Sequence, residues 1–583
     1  MTRQDYQRYA AIYEKHGKGV ASRILSVLRR GSGADFNKLI AAAYLLYVYS
    51  DKSDSERERT LSCFYDSFEP GTRDLLSSLL DDVIDDVTGL CGSQDFGRDA
   101  LASVVLCSSA SDFFSGGESL TPPSVSRLAC ALFDTFEVGK ETADFCMGRG
   151  SFLAEAFLSN PSLSLYGIDI DYALAGIAKI RLAMLGSRAE TECADLFTLD
   201  GSRRFDRIFS NFPFGIKLND LKTAGMPLVE ALKEKAPGLF RGTSSDWVFA
   251  GILSECLAEN GKGVAVMTYG DTLNLKDLTA RKYFVDNGLI EAVVCLPEKL
   301  FDFTAIPTAL ILFGRMPRDG IMMVNAAPVY ESGRRNNYLT EEMISRIVGA
   351  SLTETDGLSR RITADEIAGN DYVIHPQRYV KKEKPVENGV KFGQIILSAT
   401  RGAPLRAEEL DRMIADPGQD TGCTYLTLSD IQDGAIGGKL TRIREIDESL
   451  GKHLVKDRSL IISKSAAPFK IAVARVGEGQ KMIASGNLFV IELDESRADP
   501  YYVKAFLESP SGAEALARLT VGAVLPVIGI GALKEIMIPL IPIEKQKEFA
   551  ARYVAKQNEI EELKTILNRE IRSKDAMFDG LLF

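Results

Sequence analysis

Asn211-Phe212-Pro213-Phe214 carries the residue types that methylation of an exocyclic amine needs, directly after the strand-like run Phe205-Asp206-Arg207-Ile208-Phe209-Ser210. The amino nitrogen of adenine is conjugated into its ring and must gain nucleophilic character as a methyl cation equivalent approaches. A neutral acceptor serves that purpose. Asn211 Oδ1 can take one N–H and the carbonyl of Phe212 the other; because the second acceptor is main chain, phenylalanine in place of a proline keeps it. Phe214 is then placed to stack on a base swung out of a duplex, as enzymes acting on a stacked base require.

Residues 140–153 read KETADFCMGRGSFL, a short strand ending at Asp144, a turn with Gly148 and Gly150, and a helix over 151–158. Glycines there let a nucleoside-bearing ligand approach the backbone at a helix start. An acid is expected about 20 residues further on, at the end of the next strand, to hold ribose hydroxyls; Leu165-Tyr166-Gly167-Ile168-Asp169 supplies Asp169. Asp195, in Cys193-Ala194-Asp195-Leu196-Phe197, follows the next helix (173–185) and is placed to accept from an adenine amino group of the ligand. Each acid alone reads equally as a solvated strand end. Acids at successive strand ends, with Asn211 closing the series, point to one pocket.

These motifs need a sheet flanked by helices. Alternating strand and helix patterns from about 116 to 330 predict a mostly parallel sheet, with late strands at 264–267, 291–295 and 308–313. Before it, segments 20–28, 36–49, 56–66 and 72–90 show apolar i, i+3, i+4 spacing, the mark of a helical N-terminal domain. The stretch 214–246, rich in Gly, Lys and Pro, is either a loop closing over a ligand or a plain surface loop.

With these motifs in this order, residues 1–380 resemble the modification subunit of type I restriction systems, adenine-N6 DNA methyltransferases that use S-adenosyl-L-methionine. Ser119-Leu120-Thr121-Pro122 resembles the family's Thr-Pro cofactor motif, Asp144–Phe152 its glycine loop, and Asn211–Phe214 its catalytic motif. Later segments follow too: Asp246-Trp247-Val248-Phe249, Gly261 to Met267, Leu296-Pro297-Glu298-Lys299-Leu300-Phe301 and Ile306-Pro307-Thr308. The resemblance implies a Rossmann-like α/β core with Asn211, Phe212, Pro213 and Phe214 as catalytic residues. It implies a cofactor pocket lined by Thr121, Pro122, Asp144, Cys146, Gly148, Gly150, Phe152, Asp169, Ile170, Asp195 and Leu196. Three positions depart from the family: Arg149 stands for a small residue, Phe212 for a proline, and Leu120 where an aromatic often precedes Thr-Pro. Arg149 either crowds the methionine moiety or points to solvent. A DNA-binding subunit of a restriction or phage-defence complex, its turnover weakened by Phe212 and Arg149, is the alternative reading.

After residue 364 the character changes. The charged run 381–389 reads as a linker, short β-like segments alternate with turns over 390–542, among them 425–428, 459–463, 471–474 and 488–493, and a long helix follows over about 543–573. This layout is similar to half of a type I specificity subunit, a target-recognition domain and spacer helix, and so predicts an α+β domain there. The expected divisions are therefore 1–115, 116–380, 381–389, 390–542 and 543–583.

The resemblance makes double-stranded DNA the expected partner, with further defence-system subunits possible. Net charge is −11, but phosphate binding depends on a local basic face. Lys439, Arg442, Arg444, Lys464 and Lys470 are the candidates, with Lys452, Lys456 and Arg458 nearby. The last helix spaces Tyr553, Ile560 and Leu567 seven apart, with Phe549 and Leu563 beside them, but Lys556 and Glu570 interrupt the seam. Packing back on its own chain, as a monomer, is favoured over a dimer.

At 45% hydrophobic and 26% charged residues the composition is that of a globular protein. With no long apolar run and a polar, charged start, a cytoplasmic, nucleoid-associated chain is expected. Nine cysteines lack Cys-x-x-Cys spacing and only three histidines are present, so no metal site is expected and His375 reads as structural.

Overall fold

The apolar spacing near the N-terminus becomes, in a computed structural model, helices Arg3–Ile12, Lys18–Leu28, Phe36–Tyr49, Pro70–Cys91 and Arg98–Cys107. Helix Phe36–Tyr49 shows how sequence decides placement. Its FNKLIAAAYLLYVY is apolar nearly all round, so it is buried along most of its length. Asp35 starts it by accepting from Lys38 N at 2.8 Å. The structure describes residues 1–29, 35–50, 53, 56, 59–60, 62, 70–91, 96–114, 121–136, 139–217, 225–302, 304, 306–314, 320–333, 336–380, 388–416, 418–437, 440–465, 468–518 and 528–576. Leu120, Lys439, most of the expected helix at 56–66 and residues 381–387 of the expected linker lie outside them.

Two units emerge, residues 1–381 and 382–583. The first is built on strands β1 (Glu141–Phe145), β2 (Ser164–Asp169), β3 (Glu190–Cys193), β4 (Phe205–Ser210), β5 (Leu257–Thr268), β6 (Ile290–Cys295), β7 (Thr308–Phe313) and β8 (Ile321–Asn325). A small hairpin, β9 (Glu331–Ser332) and β10 (Asn337–Tyr338), precedes the edge strand β11 (Ser359–Ile362). The large sheet runs β11-β8-β6-β7-β5-β4-β1-β2-β3. It is parallel from β3 to β5, whereas β7 runs antiparallel to β5 and β6, and β11 antiparallel to β8. The sheet is mostly parallel, as expected, with β7 and β11 as its antiparallel strands, and the class is α/β.

Strands β6 and β7 are buried at every position, which explains their largely apolar sequences, and the acid within β6, Glu291, is paired with Lys262. Helix Tyr172–Leu185, started by Asp171, joins the two halves of this unit: its Ile177 and Ile180 belong to the same core as the N-terminal helices. The stretch after Phe214 is not a plain loop, since it contains helix Pro227–Lys235; residues 218–224 lie outside the description. Among the described residues no helix is long and apolar enough to cross a membrane.

The second unit is α+β. Strands β12 (Gly389–Lys391) to β22 (Met537–Pro539) form small sheets, including Ile396–Arg401, Leu488–Leu493, Leu460–Ser463 and Ile471–Val473 in one and Thr441–Arg442, Cys423–Leu426 and Lys481–Ala484 in another. The long helix spans Ile543–Ala576. Its first turns pack back: Phe549 meets the Tyr502 ring edge-on at 5.7 Å, and Lys504 Nζ donates to Tyr553 Oη at 2.7 Å. Beyond, Ile560, Leu563, Ile566, Leu567 and Ile571 are exposed. The later part of the helix still touches its own unit, through the ion pair of Lys564 with Asp433 at 2.6 Å, while its apolar side chains stay exposed.

Candidate active site

The chain turns outward from β1 through β2 to β3, then returns to place β4 on the other side of β1. That reversal opens a crevice beyond the carboxyl ends of β1 and β4, the place where open α/β sheets bind ligands. Asp144, Asp169, Asp195 and Asn211 lie at or just beyond the carboxyl ends of β1, β2, β3 and β4 respectively, so the fold brings the expected residues to one edge.

Behind β1 the backbone is unusual. Cys146 adopts φ +63°, uncommon for a residue with a side chain, and Gly148 follows at +53° with nothing within 4 Å of where a Cβ would stand. A ligand can therefore approach this loop closely. Gly150, at φ +74°, sits tightly against Ala178 and starts helix Ser151–Ser159.

Asp169 fixes the loop. Its two oxygens accept from Gly148 N at 2.8 Å and Asp171 N at 2.9 Å. Burial raises its carboxyl, while those N–H donors pull it down. Asp144 is 2% exposed; burial and then the charge of Asp169 push it well above the usual carboxylate range. The half-buried Cys146 thiol is raised by desolvation and next by Asp169, Asp144 and Asp195, so all three acids act on one point. Crowded acids of this kind favour a cationic ligand.

Asp195 accepts from Phe197 N at 3.0 Å and begins a short helical turn at Leu196. Ile170 stands out as an apolar side chain 70% exposed beside Asp169. Phe152 is buried, stacked on Phe209 at 4.4 Å, and therefore supports β4 from within the core.

At the end of β4, Ser210 Oγ donates to the carbonyl of Phe145 at 2.6 Å, locking β4 to β1. Asn211 Nδ2 donates to Thr121 Oγ1 at 3.0 Å. Thr121 and Pro122 lead into helix Pro123–Phe133, so the two sequence motifs meet directly. Phe212 is buried, its ring stacked on Phe249 at 5.1 Å and 17°. The phenylalanine that replaces proline is thus a core residue. Pro213 is exposed and Phe214 half-buried.

Arg149 neither reaches solvent nor lies free beside the loop. It is 6% exposed; its Nε donates to Asn37 Oδ1 at 2.8 Å and its guanidinium lies 5.1 Å from the centre of the Phe36 ring.

One support was missed. Gly215 N donates to Asp246 Oδ1 at 3.1 Å, Ser244 Oγ to Asp271 at 2.8 Å and Ser244 N to Asp277 at 2.6 Å. Burial and then the Asp271 charge push Asp246 upward. The signal was present as Ser244-Ser245-Asp246 before an apolar helix, a helix-start pattern; nothing local tied it to the Phe214 turn.

In the second unit, Arg442 and Arg444 are exposed, with Arg442 in β17 (Thr441–Arg442) and Arg444 3.7 Å from Asp416. Lys464 and Lys470 flank the turn between strands Leu460–Ser463 and Ile471–Val473 of the other sheet, and Lys470 Nζ donates to the Leu428 carbonyl. Lys456 and Arg458 are ion-paired with Glu492 and with Glu495 and Asp499.

Residues 107–388 match the family model described as N-6 DNA Methylase. Over 307 residues the chain is 29% identical to the type I restriction enzyme MjaIX methylase subunit of Methanocaldococcus jannaschii, covering 48% of this chain and 54% of that protein. It is 25% identical over 301 residues to the MpnII methylase subunit of Mycoplasma pneumoniae, covering 47% and 54%. A type I restriction-modification methyltransferase subunit from Streptococcus thermophilus superposes with a TM-score of 0.42 at 18% identity, covering 65% of this chain and 98% of that one. The chain spans about half the length of the curated relatives it matches. Residues 107–388 thus match the N-6 DNA methylase family model, and the chain is similar over about half its length to the methylase subunits of type I restriction enzymes.

Proposed function

We propose that this chain is a site-specific DNA methyltransferase that modifies the N6 amine of adenine with S-adenosyl-L-methionine. The observation that carries this is the Asn211–Thr121 hydrogen bond. With Nδ2 engaged, the amide turns Oδ1 outward as an acceptor. Asn211 Oδ1 and the Phe212 carbonyl accept the two N–H groups of the exocyclic amine, and as they do the nitrogen lone pair becomes more available for attack. Phe214 stacks on the flipped base.

The residues present fit the cofactor. Gly148 leaves space for a close approach, and the remaining lone pairs of Asp169 can accept from ribose hydroxyls. Ile170 offers an exposed apolar surface for adenine, and Asp195 an acceptor for its amino group. The raised Asp144 and Asp169 carboxyls suit a positively charged molecule. When bound, the cofactor supplies an electrophilic methyl group. Phe212 packs on Phe249 and Arg149 on Phe36, which supports a working site over a weakened one.

We further assign target reading to the second unit, with Arg442, Arg444, Lys464 and Lys470 as phosphate contacts. Calorimetric titration of Asp169→Ala tests the pocket. Losing a charged acceptor should weaken cofactor binding about ten- to a hundredfold; an unchanged Kd would remove Asp169 from it.

A further inference from the structure

Beyond β5 the chain follows the same carboxyl edge that carries Asn211. Strands β4 and β5 are parallel neighbours, with Ser210 opposite Ala265. A short helix, Tyr269–Leu273, comes next, and then a tight turn, Leu275–Asp277. Leu275 is 68% exposed on that turn. Among the described large apolar side chains of the first unit it is exceeded by Ile170 at 70%, which stands on the same edge. Lys276, the next residue, is exposed too, and a cation there suits a phosphate backbone.

A single exposed leucine is ordinary on a protein surface. The bracing behind this one is not. Asn274 N donates to the Gly270 carbonyl at 2.8 Å and Asp277 N to the Asn274 carbonyl at 3.1 Å. Arg281, fully buried, donates to the carbonyls of Asn274 and Asp271 at 2.8 and 3.1 Å. Asp277, equally buried, accepts from Ser244 N at 2.6 Å, and Ser244 Oγ donates to Asp271 at 2.8 Å. Two residues on, Asp246 accepts from Gly215 N at 3.1 Å, directly after Phe214. One buried network therefore ties the Leu275 turn to the turn that carries Phe214. Burying charged groups such as Asp277 and Arg281 is costly, and what they hold in place outside is a leucine and a lysine.

We propose that Leu275 is a wedge that enters the duplex beside the target adenine and fills the space left when that base swings out. This rests on the DNA methyltransferase reading above. Swinging a base out breaks its stacking and pairing, and an apolar side chain pushed between base steps offsets part of that loss. A braced turn suits the task, because little freedom is left to lose when the wedge goes in.

Strand-resolved mapping of plasmid DNA treated with the full chain identifies a modified adenine, and a duplex built around it is the probe. With 2-aminopurine in place of that adenine, binding of the wild type should raise the fluorescence as the base unstacks. Leu275→Ala should largely lose this rise and should methylate the matched adenine duplex about tenfold more slowly at saturating DNA. Leu275→Met, which keeps an apolar side chain of similar volume, should recover most of both. A mismatch opposite the target adenine makes the base cheaper to open, so on that duplex Leu275→Ala should come within about twofold of the wild type. A wild-type rise and rate in Leu275→Ala on the matched duplex, or a rate loss that the mismatch does not relieve, would overturn the wedge and leave the methyltransferase reading standing. So would methylation by the wild type with no rise in fluorescence. Failure of the wild type to methylate any DNA would overturn the methyltransferase reading itself, and the wedge with it.

Discussion

Asn211 Nδ2 and Thr121 Oγ1 lie 3.0 Å apart, although 90 residues separate them in the chain. This bond decides which face of the amide looks outward. Thr121→Val keeps the shape and removes the acceptor, so the amide is freed to rotate. A neutral hydrogen bond is worth about 1 kcal/mol, so the methyl-transfer rate at saturating cofactor should fall roughly five- to tenfold. An unchanged single-turnover rate would show that Thr121 does not orient Asn211.

Phe212 gives a second test, because its two roles separate. The ring packs on Phe249, whereas the proposed acceptor is its backbone carbonyl. Phe212→Ala should lower the stability of the first unit by about 3–5 kcal/mol, as large-to-small core changes do. The fraction that remains folded should still transfer methyl groups. Chemical denaturation paired with activity at low temperature checks both parts, and a stable but inactive variant would contradict the division.

Much of this site could be read from the chain because its acids and Asn211 sit at strand ends, where period-two apolar runs stop. Asp144, Asp169 and Asn211 were legible for that reason. The homes of Phe212 and Arg149 were not, since each is fixed by a residue distant in sequence, Phe249 and Asn37. Asp246 was visible as a helix start but not as the partner of Gly215, 31 residues earlier. The antiparallel β7 also escaped, because a strand buried on both faces has the same apolar sequence in either direction. Spacing of basic residues in sequence likewise did not foresee that Arg442 would lie in one sheet and Lys470 next to a strand of another.

His375 predicts a pH effect. Its ring is buried, with Nδ1 2.9 Å from Thr272 Oγ1, and burial lowers its pKa from 6.5 to about 4. The unfolded chain therefore binds the proton more readily, so this contribution is present above pH 6.5 and is lost as pH falls toward 4. Between pH 7 and 5 the wild type should lose about 2 kcal/mol relative to His375→Gln. Denaturant unfolding of both at each pH measures it. A constant difference would mean that His375 titrates in the fold as it does in the unfolded chain.

The central claim is that Asn211 presents an acceptor to an adenine amine. The direct measurement is mass spectrometry of nucleosides from duplex DNA incubated with S-adenosylmethionine and either the wild type or Asn211→Ala, with cofactor binding titrated in parallel. The account predicts N6-methyladenine from the wild type, none from Asn211→Ala, and a cofactor Kd within about twofold between them. Methylation of another base, or substantial N6-methyladenine formed by Asn211→Ala, would contradict it.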